Sequence, residues 1–285
     1  MLELDFYIVI RFACAFLAGI LMTWSGSLSQ LNTRNLLASP TTLGIDAFAV
    51  LILLVSNLIF HQVDHRLIFF LSLVGISFVL FILIERYPHF FEKKNIILLG
   101  ICFNLFVAAI FSCLQFFMMA QGNDFPSELW FGQFRWANQN SFLILLGLYV
   151  SSLFVLIKIQ KKLSIMSLGP SLSRHFHVDE KKVLLISMIM ITWMNSWIIC
   201  FFGVFSFLGL LFPNIVRLIP YFRTSIKNEL LLGPYWVALI FALCDQAVYW
   251  IDFKGSEVPV GVICSVIGAF LLIFLILKQQ AFKER

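Results

Sequence analysis

His61 and His65 stand four residues apart in the stretch HQVDH, a spacing at which two imidazoles on a helix could share a zinc ion. No third ligand lies nearby, and the stretch reads as a connection between apolar segments, so a solvated pair is expected. His175 and His177 fall in a basic segment and are also read as solvated, with a pH or metal role as the lesser alternative. The sequence has no GxxxxGK[ST] stretch that could cradle ATP phosphates and no arguable Ser/His/Asp arrangement. The chain is therefore not expected to be an enzyme, and no cofactor or metal is expected. Two acids remain inside apolar runs, Asp46 and Asp245. Ionisable groups buried in a membrane are functional by default, but both lie near span ends, where water or a helix N-terminus could satisfy them.

The elements that must position these residues are membrane spans. Of 285 residues, 61% are hydrophobic and only 12% charged, about half the charged share of a soluble domain, and mean hydropathy is +0.95. One all-α, polytopic membrane domain covering 1–285 is expected, with no soluble appendage. The six cysteines (Cys14, Cys102, Cys113, Cys200, Cys244, Cys264) fall in apolar runs without CxxC pairing and are read as buried small hydrophobes. The net charge of +5 comes from basic residues at span ends, which is not a nucleic-acid signal.

Apolar segments run near 6–30, 42–60, 67–84, 96–120, 141–157, 183–204, 206–219, 230–251 and 259–277. The seventh has 14 residues and as a helix covers only about 21 Å of a hydrocarbon core about 30 Å thick. Charge decides whether it crosses. With nine crossings and the N-terminus outside, 16 Lys/Arg fall on the cytoplasmic side and 4 (Arg11, Arg66, Arg135, Lys254) outside, a strong positive-inside bias. The seventh segment is thus expected to cross as a short or broken helix, with Gly203, Gly209 and Pro213 supplying the irregularity. An outside N-terminus without a signal sequence suggests that a first helix is missing from this chain.

Between Lys158 and Lys182 six Lys/Arg surround the segment LSIMSLGPSLSRHFHV. No other stretch offers a soluble partner as much polar surface.

Four separated blocks carry a family resemblance. They are RFACAFLAGILMTWSGSLSQLNTRNLLASPTTLG (11–44), the SLGPSLSRHFHV segment, GVFSFLGLLFPNIVRLI (203–219) and EVPVGVICSVIGAFLLIFLI (from Glu257). In order, spacing and polarity the set resembles the FecCD-type permeases, membrane subunits of ABC importers for iron-siderophore, haem and cobalamin. The departures are Ile8 and Ile10 in the R-x-P-R element, of which only Arg11 remains; Leu36 for the proline of R-N-P-L-A; Asn214 for the histidine of P-H-I-x-R; Phe270 for a proline; and Asp46 where the family prefers Ser or Thr. The family has one more helix before the R-x-P-R segment, so either the helix was lost here or the start lies further upstream.

The resemblance implies a type II ABC importer permease architecture of about nine transmembrane helices here. It implies a bacterial plasma (inner) membrane location, a dimer with a second permease copy or a sister permease, a cytoplasmic ABC ATPase dimer, and an extracytoplasmic substrate-binding protein. Cargo by family base rate is a ferric-siderophore or similar iron complex, with haem or cobalamin as alternatives. An ion-coupled secondary transporter is the reading from another class; it would want paired intramembrane charges, which the sequence does not advertise. The implied ATPase-coupling element within 158–182 is Ser167, Leu168, Gly169, Leu172, Arg174 and Phe176, a short amphipathic helix whose Leu168, Leu172 and Phe176 make one rib. Arg11 and Lys254, with Arg66 and Arg135 as further candidates, are implied to dock the binding protein; interfacial snorkelling is the alternative for Arg11. On 96–120, Gly100, Asn104, Ala108 and Gln115 fall on one stripe, and Asn104, Ala108 and Gln115 are expected to line the pathway, with polar contacts between helices as the alternative. Gly261, Ser265 and Ala269 form a close-packing face for a partner helix or the second subunit.

Overall fold

The computed structural model describes residues 2–47, 49–51, 93–120, 131–253 and 256–270. The described part is helical apart from a two-residue-per-strand hairpin. Its helices are α1 Leu2–Thr33, α2 Lys93–Ala120, α3 Gln139–Ser167, α4 Pro170–His175, α5 Glu180–Phe202, α6 Leu208–Leu218, α7 Pro220–Arg223, α8 Ile226–Leu231, α9 Gly233–Tyr249 and α10 Val260–Phe270. The antiparallel strands β1 Asp252–Phe253 and β2 Ser256–Glu257 join α9 to α10. Among the described residues five helical stretches are long and apolar enough to cross a membrane: Phe6–Thr33, Gly100–Phe117, Gln139–Ser167, Glu180–Phe202 and Ile226–Tyr249. The expected span 67–84, and most of 42–60, lie outside the described residues.

α1 is the hub, packed against α3, α5, α6 and α9. From Leu17 to Gln30 every residue is buried, which is what a helix hydrophobic all round requires. Several of its hydroxyls are satisfied locally: Thr23 donates to the Gly19 carbonyl, Ser29 to Ser25, and Thr33 to Ser29, each at 2.7–2.8 Å. Small residues let neighbouring backbones approach. A Cβ on Gly26 would fall 1.8 Å from the Gly209 carbonyl oxygen of α6. Pro213 has no N–H to give that carbonyl, and its ring also lies against Gly26.

Cross-chain pairs fix the directions. Cys14, Trp24 and Arg34 meet Ser141, Tyr149 and Met166 in that order, so α3 runs with α1. Ser25 meets Asn195 and Arg34 meets Glu180, so α5 runs against it. Arg11 meets Asp245 and Gly19 lies against Ala238, so α9 is also antiparallel, and Trp24 Nε1 donates to the Leu230 carbonyl of α8 at 2.6 Å. α5 ends beside the Gln133 strap, where Gln133 N–H donates to the Phe202 carbonyl, and α6 delivers Arg217 to Gln30 at the far end of α1. The short seventh segment therefore does return the chain. It does so through an irregular piece, with Gly203 at φ 81° and Phe207 at φ 76°, followed by an 11-residue helix.

Three expectations about packing change. Cys102 and Cys113 are exposed on α2, unlike Cys14 and Cys264, because α2 is covered on few sides. The Gly261 and Ser265 face packs inside the chain: Gly261 N–H donates to the Gly132 carbonyl at 2.9 Å, and Ser265 Oγ donates to the Ser206 carbonyl at 3.0 Å. Paired intramembrane charges do exist, as the next subsection describes.

Candidate functional site

The basic segment builds a protruding turn. α3 has 29 residues, about 43 Å of helix, longer than a hydrocarbon core, so it carries Lys158, Lys161 and Lys162 outward before ending at Ser167. Gly169 then takes φ +126° with open space around it, a conformation in which a side chain would strain the backbone. α4 follows with Pro170 at its start and Arg174 and His175 in its last turn, the arrangement favoured by the helix dipole. Ser173 is buried and donates to the Gly169 carbonyl at 3.0 Å. Asp179 closes the turn by accepting from Lys182 N–H at 3.2 Å, capping α5; that backbone hydrogen bond holds its carboxyl below the usual value.

The expected amphipathic helix is shorter than predicted, six residues instead of a run from Ser167 to His177. Leu168 caps the end of α3 and Phe176 caps the end of α4. The rib nevertheless points outward: Leu168 is 67%, Leu172 38% and Phe176 58% exposed. Together they form one exposed apolar patch on the turn. The turn is braced from α1. Arg34, itself at φ 51°, donates from Nη2 to the Met166 carbonyl at 2.9 Å and lies 3.4 Å from Glu180 Oε1. It thus holds both arms of the turn.

At the same end the first and third sequence blocks interlock. Gln30 donates to the Leu36 carbonyl at 2.9 Å and accepts from Arg217. Arg217 also pairs with Glu229 at 2.5 Å. Asn214 donates to the Leu36 and Leu210 carbonyls at 3.2 and 2.8 Å. Asn214, where the family motif has histidine, therefore holds the turn after α1 against α6.

The putting-together of α2 with the segment after that turn makes a cavity. Gly100 packs on the backbone of Thr42 and Leu43, where a Cβ would meet atoms at 2.2–2.7 Å, and Asn104 Nδ2 donates to the Thr41 carbonyl at 3.0 Å. Asn104 and Ala108 line a cavity of about 240 Å³ together with Thr41, Thr42, Asp46 and Ser206. Gln115, the third expected pathway residue, does not line it; it lies two turns beyond Ala108, at about 10 Å along the helix.

Arg11 requires a correction. It is not a surface docking group: it is 1% exposed, and its guanidinium grips Asp245 at two points, Nε–Oδ2 2.8 Å and Nη2–Oδ1 3.0 Å, with Tyr249 stacked 4.7 Å away. An acid buried in α9 needs a cation, and Arg11 is the one basic residue of the first span, so the pair was available from the sequence. Asp245 is satisfied by that arginine, and neither water nor a helix N-terminus is needed to satisfy it. Lys254 and Arg66 lie outside the described residues. Arg135 is exposed at the Arg11 end, over the Trp136 ring. His61 and His65 also lie outside the described residues. Among those described, no three His, Cys, Asp or Glu side chains gather as metal ligands.

The fold and site define a polytopic helical membrane protein with a braced turn carrying exposed apolar side chains at one end and a cavity beside α2. Residues 5–278 match the model of the FecCD transport family, and the chain belongs to that family. The chain is 24% identical over 276 residues to the Iron-uptake system permease protein FeuB of Bacillus subtilis, covering 94% of this chain and 80% of the relative. It is 26% identical over 277 residues to the Petrobactin import system permease protein YclN of the same organism, covering 93% and 83%. Its fold matches a solved structure described as a metal-chelate type ABC transporter in an inward-facing conformation, with TM-score 0.80 and 18% identity over 95% of this chain and 85% of the other. The protein is thus a multi-pass membrane transport permease of the FecCD family. That membership displaces the secondary-transporter alternative.

Proposed function

We propose that this chain is the permease of a bacterial inner-membrane importer for a ferric-siderophore or similar iron complex, powered by a separate cytoplasmic ATPase dimer. The observation that carries the reading is the exposed Leu168–Leu172–Phe176 rib, braced at its base by Arg34. A rib of this kind offers apolar knobs to a soluble groove, with Arg174 and the α3 lysines supplying charge at the rim. The relative named an iron-uptake system permease supports the cargo assignment.

Asn104 and Ala108 are proposed to line the translocation pathway. α2 is the least covered of the five long apolar helices, so the wall it forms needs a second permease chain, identical or sister, to close a pathway. An extracytoplasmic binding protein would deliver the cargo at the Arg11 end, with Arg135 and Lys254 as its electrostatic contacts.

The experiment is a pull-down of the detergent-solubilised chain with its cognate ATPase, comparing wild type with Leu168→Asp plus Arg174→Glu. Association that vanishes in the variant supports the coupling role of the turn. Association that is unchanged places the ATPase interface elsewhere. No association in wild type overturns the importer reading.

A further inference from the structure

Asp46 is the acid that the coupling turn, the interlocked motifs and the Arg11 pair leave unused. It follows Gly44, whose φ of 77° turns the chain into the next helix, and it is 6% exposed. Its Oδ2 accepts the Thr41 hydroxyl at 2.5 Å, while Oδ1 is buried without a partner among the described residues. The carboxylate stands between two spaces. On one side is the cavity of about 240 Å³ walled by α2, with Thr42, Asn104 and Ser206 as its other polar residues. On the other is an enclosed space of about 10 Å³ that Asp46 shares with Thr41 and Asn195, close to the smallest volume that holds one water.

A lone carboxylate oxygen in such surroundings is costly unless a proton or another positive group meets it. None of the described residues lining either space is basic. Elsewhere in this chain the same problem is solved internally: Asp245 has Arg11, and Glu229 has Arg217. Asp46 has only a hydroxyl. An anion would be repelled, and a neutral group would leave the charge uncompensated. A divalent metal would call for further carboxylate, imidazole or thiolate ligands, and no such group of three gathers among the described residues.

We propose that Asp46 is a binding site for a small monovalent cation on the wall of the translocation pathway, either an ammonium group carried by the cargo or an inorganic ion. The placement on the pathway rests on the permease reading above; the site itself does not. Asn104 cooperates by holding the Thr41 carbonyl, which keeps the Thr41 hydroxyl on Asp46 Oδ2 and leaves Oδ1 for the cation. The pathway would then favour a chelate bearing a positive group over a polyanionic one of equal size, because like charge at a desolvated site is strongly disfavoured.

The test uses the full chain in detergent and follows its thermal unfolding midpoint at constant ionic strength. Sodium, potassium and methylammonium chloride are titrated against tetrabutylammonium chloride, whose cation is too bulky for the site. Wild type is expected to show a saturable rise with at least one small cation. Asp46→Asn, and Asp46→Ser as the smaller replacement, should weaken the apparent affinity tenfold or more while remaining monodisperse. A response to methylammonium alone identifies an ammonium group, and a response to sodium or potassium alone an inorganic ion. No saturable response in wild type, or an equal response in both variants, overturns the proposal. Because the ATPase is absent from this assay, its outcome is independent of the pull-down that tests the importer reading.

Discussion

Arg11 and Asp245 are 234 residues apart in sequence and form a two-point ion pair in the interior of the helix bundle. The pair fixes the register of α1 against α9, two antiparallel helices that also meet at Gly19 and Ala238, while Trp24 reaches the Leu230 carbonyl of α8. Forming such a pair costs desolvation, so its net contribution is small, but breaking it strands one charge. Asp245→Asn or Arg11→Met alone is expected to cost about 3–5 kcal/mol. The double change Arg11→Met with Asp245→Leu should recover most of that loss. Unfolding followed by circular dichroism in detergent checks this. A double variant as damaged as the sum of the singles would mean that the two residues act independently.

Arg34 makes a different prediction, because it joins α1 to the turn without touching the exposed rib. Arg34→Ala should leave Leu168, Leu172 and Phe176 in place but free the arms of the turn, raising amide hydrogen exchange across 166–180. Arg34→Lys should rescue only in part, since one ammonium cannot reproduce a planar guanidinium between a carbonyl and a carboxylate. ATPase association should weaken by roughly 1–2 kcal/mol, about five- to thirtyfold, the scale of a lost charge-assisted hydrogen bond. Unchanged exchange in Arg34→Ala would show that the brace carries no load.

Much of this arrangement was legible before any coordinates. Hydropathy placed the spans, and the positive-inside count required the short seventh segment to cross, as α6 does from the Phe202 end to Gln30. What pattern could not supply was which separated blocks meet. Periodicity reports the face of one helix, whereas Gln30 with Arg217, and Asn214 with the Leu36 carbonyl, are meetings of helix ends set by loops. Arg11 was misplaced for a related reason. Position near a span end does not imply exposure when an acid such as Asp245 in an apolar helix calls for a buried cation. Asn104 and Ala108 line the cavity beside α2 whereas Gln115 does not, because seven residues further on α2 has passed the stretch where the Thr41–Asp46 segment packs against it.

Asp179 gives the turn a pH dependence at its α5 end. Its carboxyl is held below the usual range chiefly by the Lys182 N–H, with the Lys182 ammonium at 3.3 Å adding to the effect. A folded value below the unfolded one means that the cap contributes fully above the ordinary carboxylate range near about 4. It is lost as pH falls through the lower folded value. The protection of the Lys181 and Lys182 amides, measured relative to their intrinsic exchange rates at each pH, is therefore expected to be present at neutral pH and to fall on acidification. Asp179→Asn, which still accepts a hydrogen bond, should keep much of the cap and lose the pH dependence. An identical acid response in Asp179→Asn would assign the effect to another group.

Two glycines provide a matched comparison of packing and backbone effects. Gly26 in α1 and Gly147 in α3 both sit inside membrane-length helices with helical backbone, so replacing either by Ala brings the same intrinsic helix gain of about 1 kcal/mol. They differ in what a methyl would meet. At Gly147 nothing lies within 4 Å, whereas at Gly26 the methyl would fall 1.8 Å from the Gly209 carbonyl oxygen and 2.8 Å from the Pro213 ring. Neither obstacle is a flexible side chain, so α1 and α6 must separate. Separation would pull Leu210 and Arg217 away from Gln30 and loosen the joint that holds the turn after α1. Gly147→Ala is expected to be neutral or stabilising. Gly26→Ala should cost more than the roughly 1–3 kcal/mol of ordinary overpacking and sharply lower the yield of folded protein. Equal thermal midpoints for the two variants would mean that α1 and α6 do not approach as closely as Gly26 and Gly209 require.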